Sequence, residues 1–210
     1  MLIFHSRRGL IAAAAALLVG AAPRARAADD PAVVAPIQQL VDGLLQVMKE
    51  GPGTPYQQRF SMLAPIIDGT FDLAAILEKS VGPSWPTLPP DQQDMLRQEF
   101  RRYTVASYVN SFDHYNGQRF VVKPSTRAVG NGDQVVQTQI IPKSGDSHEL
   151  DYVMHQGTAG WRAVDVLADG SISRVAVQRS DFRRLLARGG AQALAQSLRG
   201  KSADLSSGVS

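Results

Sequence analysis

The apolar residues of this chain change their spacing once, near its middle, and that change sets the class of fold. From Val34 to Phe112 they recur at steps of three and four, and from Phe120 to Val166 at steps of two. The first spacing lines one face of a helix, the second one face of a strand. Gly130-Asn131-Gly132, Ser144-Gly145-Asp146 and Gly157-Thr158-Ala159-Gly160 separate strand-like runs at 119–129, 134–142, 148–156 and 161–168. Connections this short join antiparallel neighbours, because a parallel return needs about a dozen residues or more. The expectation is one α+β domain, with helices packed on one face of a twisted antiparallel meander of four strands. Residues 171–177, after Asp169-Gly170, offer a fifth.

In the helical half, Val34, Ile37, Val41, Leu44, Leu45 and Met48 predict a helix over 31–49, ended by Gly51-Pro52-Gly53. Phe60, Leu63 and Ile67 mark a second, and Leu73, Ile76 and Leu77, after Asp68-Gly69-Thr70, a third. Pro89-Pro90-Asp91 opens what should be the longest helix, since residues 91–115 contain neither Gly nor Pro. Its apolar positions spread over more than one stripe, so it should touch two surfaces. Beyond the sheet, units around Phe182-Leu185-Leu186 and Leu194-Leu198 stop at Gly189-Gly190 and at Gly200. The Ser-rich residues 201–210 read as a disordered tail.

Parity assigns the sheet faces. Phe120, Val122, Val136, Thr138, Ile140, Leu150, Tyr152, Met154, Val164 and Val166 are all even-numbered and should face the helices. Trp161 is odd, so either it covers the outer face or the register of the last strand differs by one. Pro124 cannot donate a ladder hydrogen bond, which places its strand at an edge or a bulge.

The first residues read as an address. Arg7 and Arg8 precede an apolar run from Gly9 to Ala22, and Ala25-Arg26-Ala27 has the small-x-small form of an export cleavage site. We expect residues 1–27 to be an export signal cleaved after Ala27, leaving one domain over 28–200 and the tail. About 14 apolar residues fall short of the roughly 20 that a spanning helix needs. Ser6-Arg7-Arg8-Gly9-Leu10-Ile11 also resembles a twin-arginine signal, so both export routes stay open. Cleavage removes four of 22 basic side chains and none of 19 acidic ones, turning a net charge of +3 into −1. The high isoelectric point therefore belongs to the leader, and Arg183-Arg184 with Arg188 is too local to argue for nucleic acid.

Chemistry has few footholds. Without cysteine there is no disulfide, thiolate nucleophile, thiolate zinc site or iron–sulfur cluster. His148 and His155 are seven apart on one strand and point to opposite faces, so no metal site is expected. There is no Gly-x-Ser-x-Gly elbow and no glycine-rich phosphate loop, and Asp113-His114, as helical neighbours, would point about 100° apart. Asp91 and Asp94 suit a helix N-terminus. Asp165, between Val164 and Val166, needs a partner, and structural hydrogen bonding is the simplest one. No catalytic residue and no cofactor is assigned on this reading. Whether the layers close into a solid core or leave a cavity is not decided by the pattern.

Several motifs, taken in order, resemble a known family. They are Phe71-Asp72-Leu73, Val81-Gly82-Pro83-Ser84-Trp85, Gln92-Gln93, Phe100-Arg101-Arg102-Tyr103, Ser107-Tyr108 and Tyr115. The sheet end adds Trp161-Arg162-Ala163-Val164-Asp165-Val166, Asp169-Gly170-Ser171-Ile172-Ser173 and Gln178-Arg179-Ser180-Asp181-Phe182. Over about residues 37–200 they resemble the periplasmic lipid carriers of the Mla (maintenance of lipid asymmetry) and toluene-tolerance ABC transport systems. Met62-Leu63-Ala64-Pro65 and the stretch from Ser107 to Gly117 are most similar to the hopanoid-associated branch called HpnM. Val177-Gln178-Arg179 departs from the pattern, which commonly has a Tyr before the Arg.

The resemblance implies a periplasmic, noncatalytic carrier with a nuclear-transport-factor-2-like shape. It would hold phospholipid or hopanoid tails between helices and sheet. Its partners would be an inner-membrane ABC transporter complex, with an outer-membrane component as a further candidate. The lipid-facing candidates are then Leu73, Ile76, Leu77, Phe100 and Tyr103 from the helices with Phe120, Val122, Val136, Ile140, Leu150, Tyr152, Met154, Val164 and Val166 from the sheet. Arg101 or Arg102 is the candidate to meet a phosphate at the mouth. Two other readings stand beside it: an enzyme with the same cavity acting on a small apolar substrate through Asp165 or Tyr103, and a noncatalytic periplasmic adaptor.

Overall fold

The structure, a computed structural model, describes residues 30–208. The export signal expected at residues 1–27 lies outside them. The fold is α+β as expected: helices α1 (Pro31–Glu50), α2 (Tyr56–Thr70), α3 (Leu73–Val81) and α4 (Pro90–Ser111) precede strands β1 (Arg119–Ala128), β2 (Gln134–Ile141), β3 (His148–Gly157), β4 (Gly160–Ala168) and β5 (Ile172–Ser173), and α5 (Arg174–Ser207) closes the chain. The strands pair in sequence order, every neighbour antiparallel.

Local chemistry starts the helices. The Asp30 carboxylate accepts from the Ala32 amide at 3.0 Å and Pro31 takes the first helical position of α1, where its missing N–H costs nothing. Asp72 caps α3 by accepting from the Ala75 amide at 2.9 Å. Val33, Ile37, Leu40, Leu44 and Val47 form the buried stripe of α1, which packs with Leu63 and Ile67 of α2 and with Val136, Tyr152 and Met154 of the sheet. The two helices approach closely at Gly43, where a Cβ would come within 2.3 Å of the Ile66 side chain.

The anomaly at Trp161 has a simple origin. Tyr152 pairs with Val166 and Val153 with Asp165, but Met154 pairs with Ala163, leaving Val164 as the extra residue of a bulge. Before it, parity reverses, so Ala163 and Trp161 pack on the core side. Pro124 lies within a second irregularity, between Val122 and Thr126, on the edge strand β1. Next to the β4 bulge the chain adds one more pairing: Phe71 forms an isolated parallel bridge to Ala163, and the Asp72 amide donates to the Ala163 carbonyl at 3.0 Å.

Three expectations are corrected. The helix expected over 91–115 stops at Ser111, and Asp113 pairs with His114, which the extended segment allows and a helix would not. Residues 171–177 do not form a strand: only Ile172 and Ser173 pair with β4, and Ser173 then caps α5 by accepting from the Ala176 amide at 3.0 Å. The expected tail from Lys201 is instead helical through Ser207. Helix α5 breaks at Gly189-Gly190, where Gly190 has a φ of 63°, but passes through Gly200. Buried Ser202 donates to the Leu198 carbonyl at 2.8 Å, and Arg199 meets Glu99 of α4 at 2.8 and 3.1 Å.

Candidate functional site

Helix α4 packs mainly on α2, α3 and α5 rather than on the strands. The gap between it and the sheet encloses a hollow of about 300 Å³, open to solvent on one side. That volume is at the small end of ligand pockets. Its apolar wall comes from Phe71, Leu73, Ile76, Phe100, Leu150, Val166 and Val175. Helix α4 adds Tyr103, Thr104, Ser107, Tyr108 and Ser111, a line at helical spacing, and Phe112 follows. Asp165, Ala168, Arg174 and Gln178 complete the lining. Of all these residues only Ser111 and Arg174 are exposed, so they mark the mouth.

Polar groups in the wall are mostly committed to their own fold. The Thr104 and Ser107 hydroxyls donate to the Phe100 and Tyr103 carbonyls, both at 2.8 Å. Burial pushes the Tyr108 and Tyr152 phenols above their ordinary pKa, so both stay neutral at physiological pH. Asp165 accepts from the Ser173 hydroxyl at 2.5 Å, the Val175 amide at 3.1 Å and the Val166 amide at 2.8 Å. It therefore ties β4 to the start of α5, as structural hydrogen bonding would require. An aromatic series runs beside the hollow: Phe71 lies 6.2 Å from Tyr152 and 5.6 Å from Tyr108, which stacks on Phe112 at 5.9 Å, itself 6.0 Å from Phe120.

Of the side chains proposed from sequence, Leu73, Ile76, Phe100, Tyr103, Leu150 and Val166 meet around this hollow. Leu77, Val136, Tyr152, Met154 and Val164 do not line it; they are at most 3% exposed and packed as core. Phe120, Val122 and Ile140 are half-buried on the β1 side of the sheet. Sequence reasoning missed the hydroxyl line on α4 and the contribution of α5. The spread of apolar positions on α4 was the available signal for the first.

Arg101 and Arg102 are also elsewhere. Arg101 grips Asp68 through two hydrogen bonds, at 2.8 and 2.6 Å, in a second cleft of about 280 Å³ on the other side of Phe71 and Leu73. Arg97, Arg162 and Asp72 share that cleft, and Arg97 is paired with Asp94 at 2.6 Å and lies over the Trp85 ring at 5.0 Å. Arg102 is exposed and lines neither space. Among the described residues no three His, Cys, Asp or Glu side chains gather as a metal site would require, and no helix is long and apolar enough to cross a membrane.

The family model for the MlaC protein matches residues 38–200. The fold is similar to that of a phospholipid-binding protein from Ralstonia solanacearum, solved in complex with a phospholipid. The TM-score is 0.71 at 24% sequence identity, over 82% of this chain and 98% of that one. At this identity the likeness is one of fold. No curated protein matches the chain.

Proposed function

Because this chain belongs to the MlaC family, we propose that it is a noncatalytic lipid carrier of the periplasm that takes lipid tails into the hollow between α4, α5 and the sheet. The observation that carries this reading is the open space itself: an apolar wall in the middle of the domain, reached through a mouth at Ser111 and Arg174. The leader, read as an export signal cleaved after Ala27, supports delivery to the periplasm. Exchange with an inner-membrane ABC transporter complex, and an outer-membrane component beyond it, follows from the family. The hopanoid-associated branch keeps hopanoid beside phospholipid as cargo.

Energetics suit a carrier. Two tails of about 15 methylenes each, at roughly 0.8 kcal/mol per buried CH₂, would be worth about 24 kcal/mol relative to water. A bilayer offers nearly the same environment, so transfer between bilayer and protein is close to balanced, and the protein removes the cost of crossing water. At about 300 Å³ the hollow starts to accommodate a tail, and a whole two-tailed lipid needs α4 and α5 to move outward from the sheet.

Native mass spectrometry of gently purified protein, with lipid extraction and loading from liposomes, tests the proposal. Lipid bound at a fixed ratio to protein is the expected result. A protein that is isolated empty and takes up nothing from liposomes would overturn it.

A further inference from the structure

We infer that the outward face of α5 docks the protein on an anionic bilayer surface, so that the mouth of the hollow opens against the membrane. The inference rests on the carrier reading above and adds how the mouth meets its source of lipid.

Charge on this domain is segregated. Residues 174–188 carry Arg174, Arg179, Arg183, Arg184 and Arg188 against Asp181 alone, whereas the rest of residues 28–210 carries 13 basic and 18 acidic side chains. All five arginines are exposed. Val175 and Phe182, seven residues apart, turn the other face of the same turns into the core, which leaves the arginines pointing outward. Asp181 pairs with Arg184, and Arg179 donates to the Lys79 carbonyl at 2.8 Å without losing its charge. Arg174, Arg183 and Arg188 form no ion pair with a described carboxylate. From Arg174 to Arg188 the helix rises about 21 Å before it breaks at Gly189-Gly190.

Two further features fit a bilayer better than an acidic protein. The basic face starts at the mouth, because Arg174 lines the hollow and is exposed. Two residues before it, Ile172 is 52% exposed, the most exposed large hydrophobic side chain among the described residues. Arginines with an apolar side chain at their end suit a membrane interface, where charge draws the helix to the headgroups and the apolar group enters beneath them. The acidic remainder of the domain is repelled by the same surface, so the field turns this face, and the mouth with it, toward the bilayer. A tail then passes from bilayer to hollow without crossing water. Docking governs how quickly lipid is exchanged, and the hollow governs how much is held.

The test is co-sedimentation of the purified protein with sucrose-loaded vesicles, either of phosphatidylcholine alone or of phosphatidylcholine and phosphatidylglycerol in equal parts. Both lipids carry a phosphate, so the comparison reads net surface charge. Wild type should sediment with the anionic vesicles alone, and salt of about 0.5 M should release it by screening. The triple variant Arg183→Gln, Arg184→Gln, Arg188→Gln keeps Arg174 at the mouth and should lower the partition about tenfold or more, since each arginine near an anionic surface contributes about fivefold. Lysine at the same three positions should restore most of it, because the attraction needs charge rather than a guanidinium fork. Arg102→Gln, Arg119→Gln and Lys143→Gln together remove as much charge from exposed positions elsewhere and should leave the partition within about threefold. Wild-type partition in the α5 triple variant, or equal binding of wild type to both kinds of vesicle, overturns the inference. So does binding of polyglutamate through the three arginines with no binding to vesicles, which would assign the face to an acidic protein. Lipid extracted from the unsedimented protein separates the two readings: uptake without docking leaves the carrier standing, and no uptake from either vesicle overturns both.

Discussion

The Asp165 carboxylate accepts a hydrogen bond from the Ser173 hydroxyl at 2.5 Å, and through that contact β4 holds the first turn of α5. The same carboxylate takes the Val175 amide, while the Ser173 oxygen takes that of Ala176. A negative oxygen at a helix N-terminus is doubly placed, satisfying orphan amides and opposing the positive end of the helix dipole. Because these residues bound one wall of the hollow, the position of that wall depends on the contact.

Asp165→Asn keeps the shape but removes the charge, and should destabilise the protein by about 1–3 kcal/mol. For a chain of this size each kcal/mol lowers Tm by about 2–4 °C. Ser173→Ala should cost about 1 kcal/mol, with the double variant less than additive because both act on one network. Thermal melting measures all three. Lipid uptake per folded molecule should be unchanged in Asp165→Asn, whereas an acid–base role would show as lost activity at an unchanged Tm.

Leu73 and Leu77 lie one turn apart on α3, yet face different surroundings. Leu77 is fully buried and Leu73 only half-buried, against the hollow. Leu77→Ala should cost about 2–4 kcal/mol, since it leaves a void in packed core. Leu73→Ala should cost less than about 1 kcal/mol, because its truncation only widens a space already open. Urea unfolding at constant m checks the difference, and equal losses would mean that the hollow is filled in solution.

The layers of this fold were legible because the change of apolar period and the short glycine turns are local signals. The register of β4 was not. A bulge at Val164 depends on how two strands meet, and its only trace in the sequence was the misplaced parity of Trp161. Core and hollow were equally hard to separate: Ile76 lines the hollow and Leu77 does not, though the two are chemically alike and adjacent. Thr104 and Ser107 carried no signal of their own, because their hydroxyls bond to their own helix as those of solvent-facing residues also do, and only the spread of apolar positions around them on α4 pointed to a second surface. Arg174 was hidden by the strand-like appearance of residues 171–177, which the Ser173 cap turns into helix.

Asp151, on the outer face of the sheet, is 3% exposed, and its Oδ1 has no hydrogen-bond partner among the described residues. Burial raises its pKa, opposed by a hydrogen bond from Gln137 and reinforced by Glu149, while Arg127 and Lys123 act against the rise. With a folded pKa above the unfolded value near 4, the unfolded chain releases this proton first as pH rises. Stability therefore falls as pH rises from about 4 through the folded pKa, and the deficit persists at pH 7. Asp151→Asn should stabilise the protein at pH 7, by an amount on the order of 1 kcal/mol, and the gain should vanish below about pH 4. Melting curves across that range check it, and an equal gain at all pH values would assign the effect to something other than ionisation.

Ser107 offers the most direct block of the hollow. It lies half-buried on α4, between Thr104 and Ser111 in the helical line, and its hydroxyl bonds only to the Tyr103 carbonyl of its own helix. Such a bond is dispensable, because that carbonyl already belongs to the helix ladder. In Ser107→Trp the indole would enter a space of about 300 Å³ and displace a tail from it. New apolar burial and overpacking strain have opposite signs, so stability should stay within about 1–2 kcal/mol of wild type. Lipid recovered per protein by extraction should drop about tenfold or more, a loss of at least roughly 1.4 kcal/mol in loading. Val177→Trp, on an exposed position of α5 outside the hollow, is the matched control and should load normally. If Ser107→Trp folds and still carries the wild-type amount of lipid, the tails reside somewhere other than between α4 and the sheet.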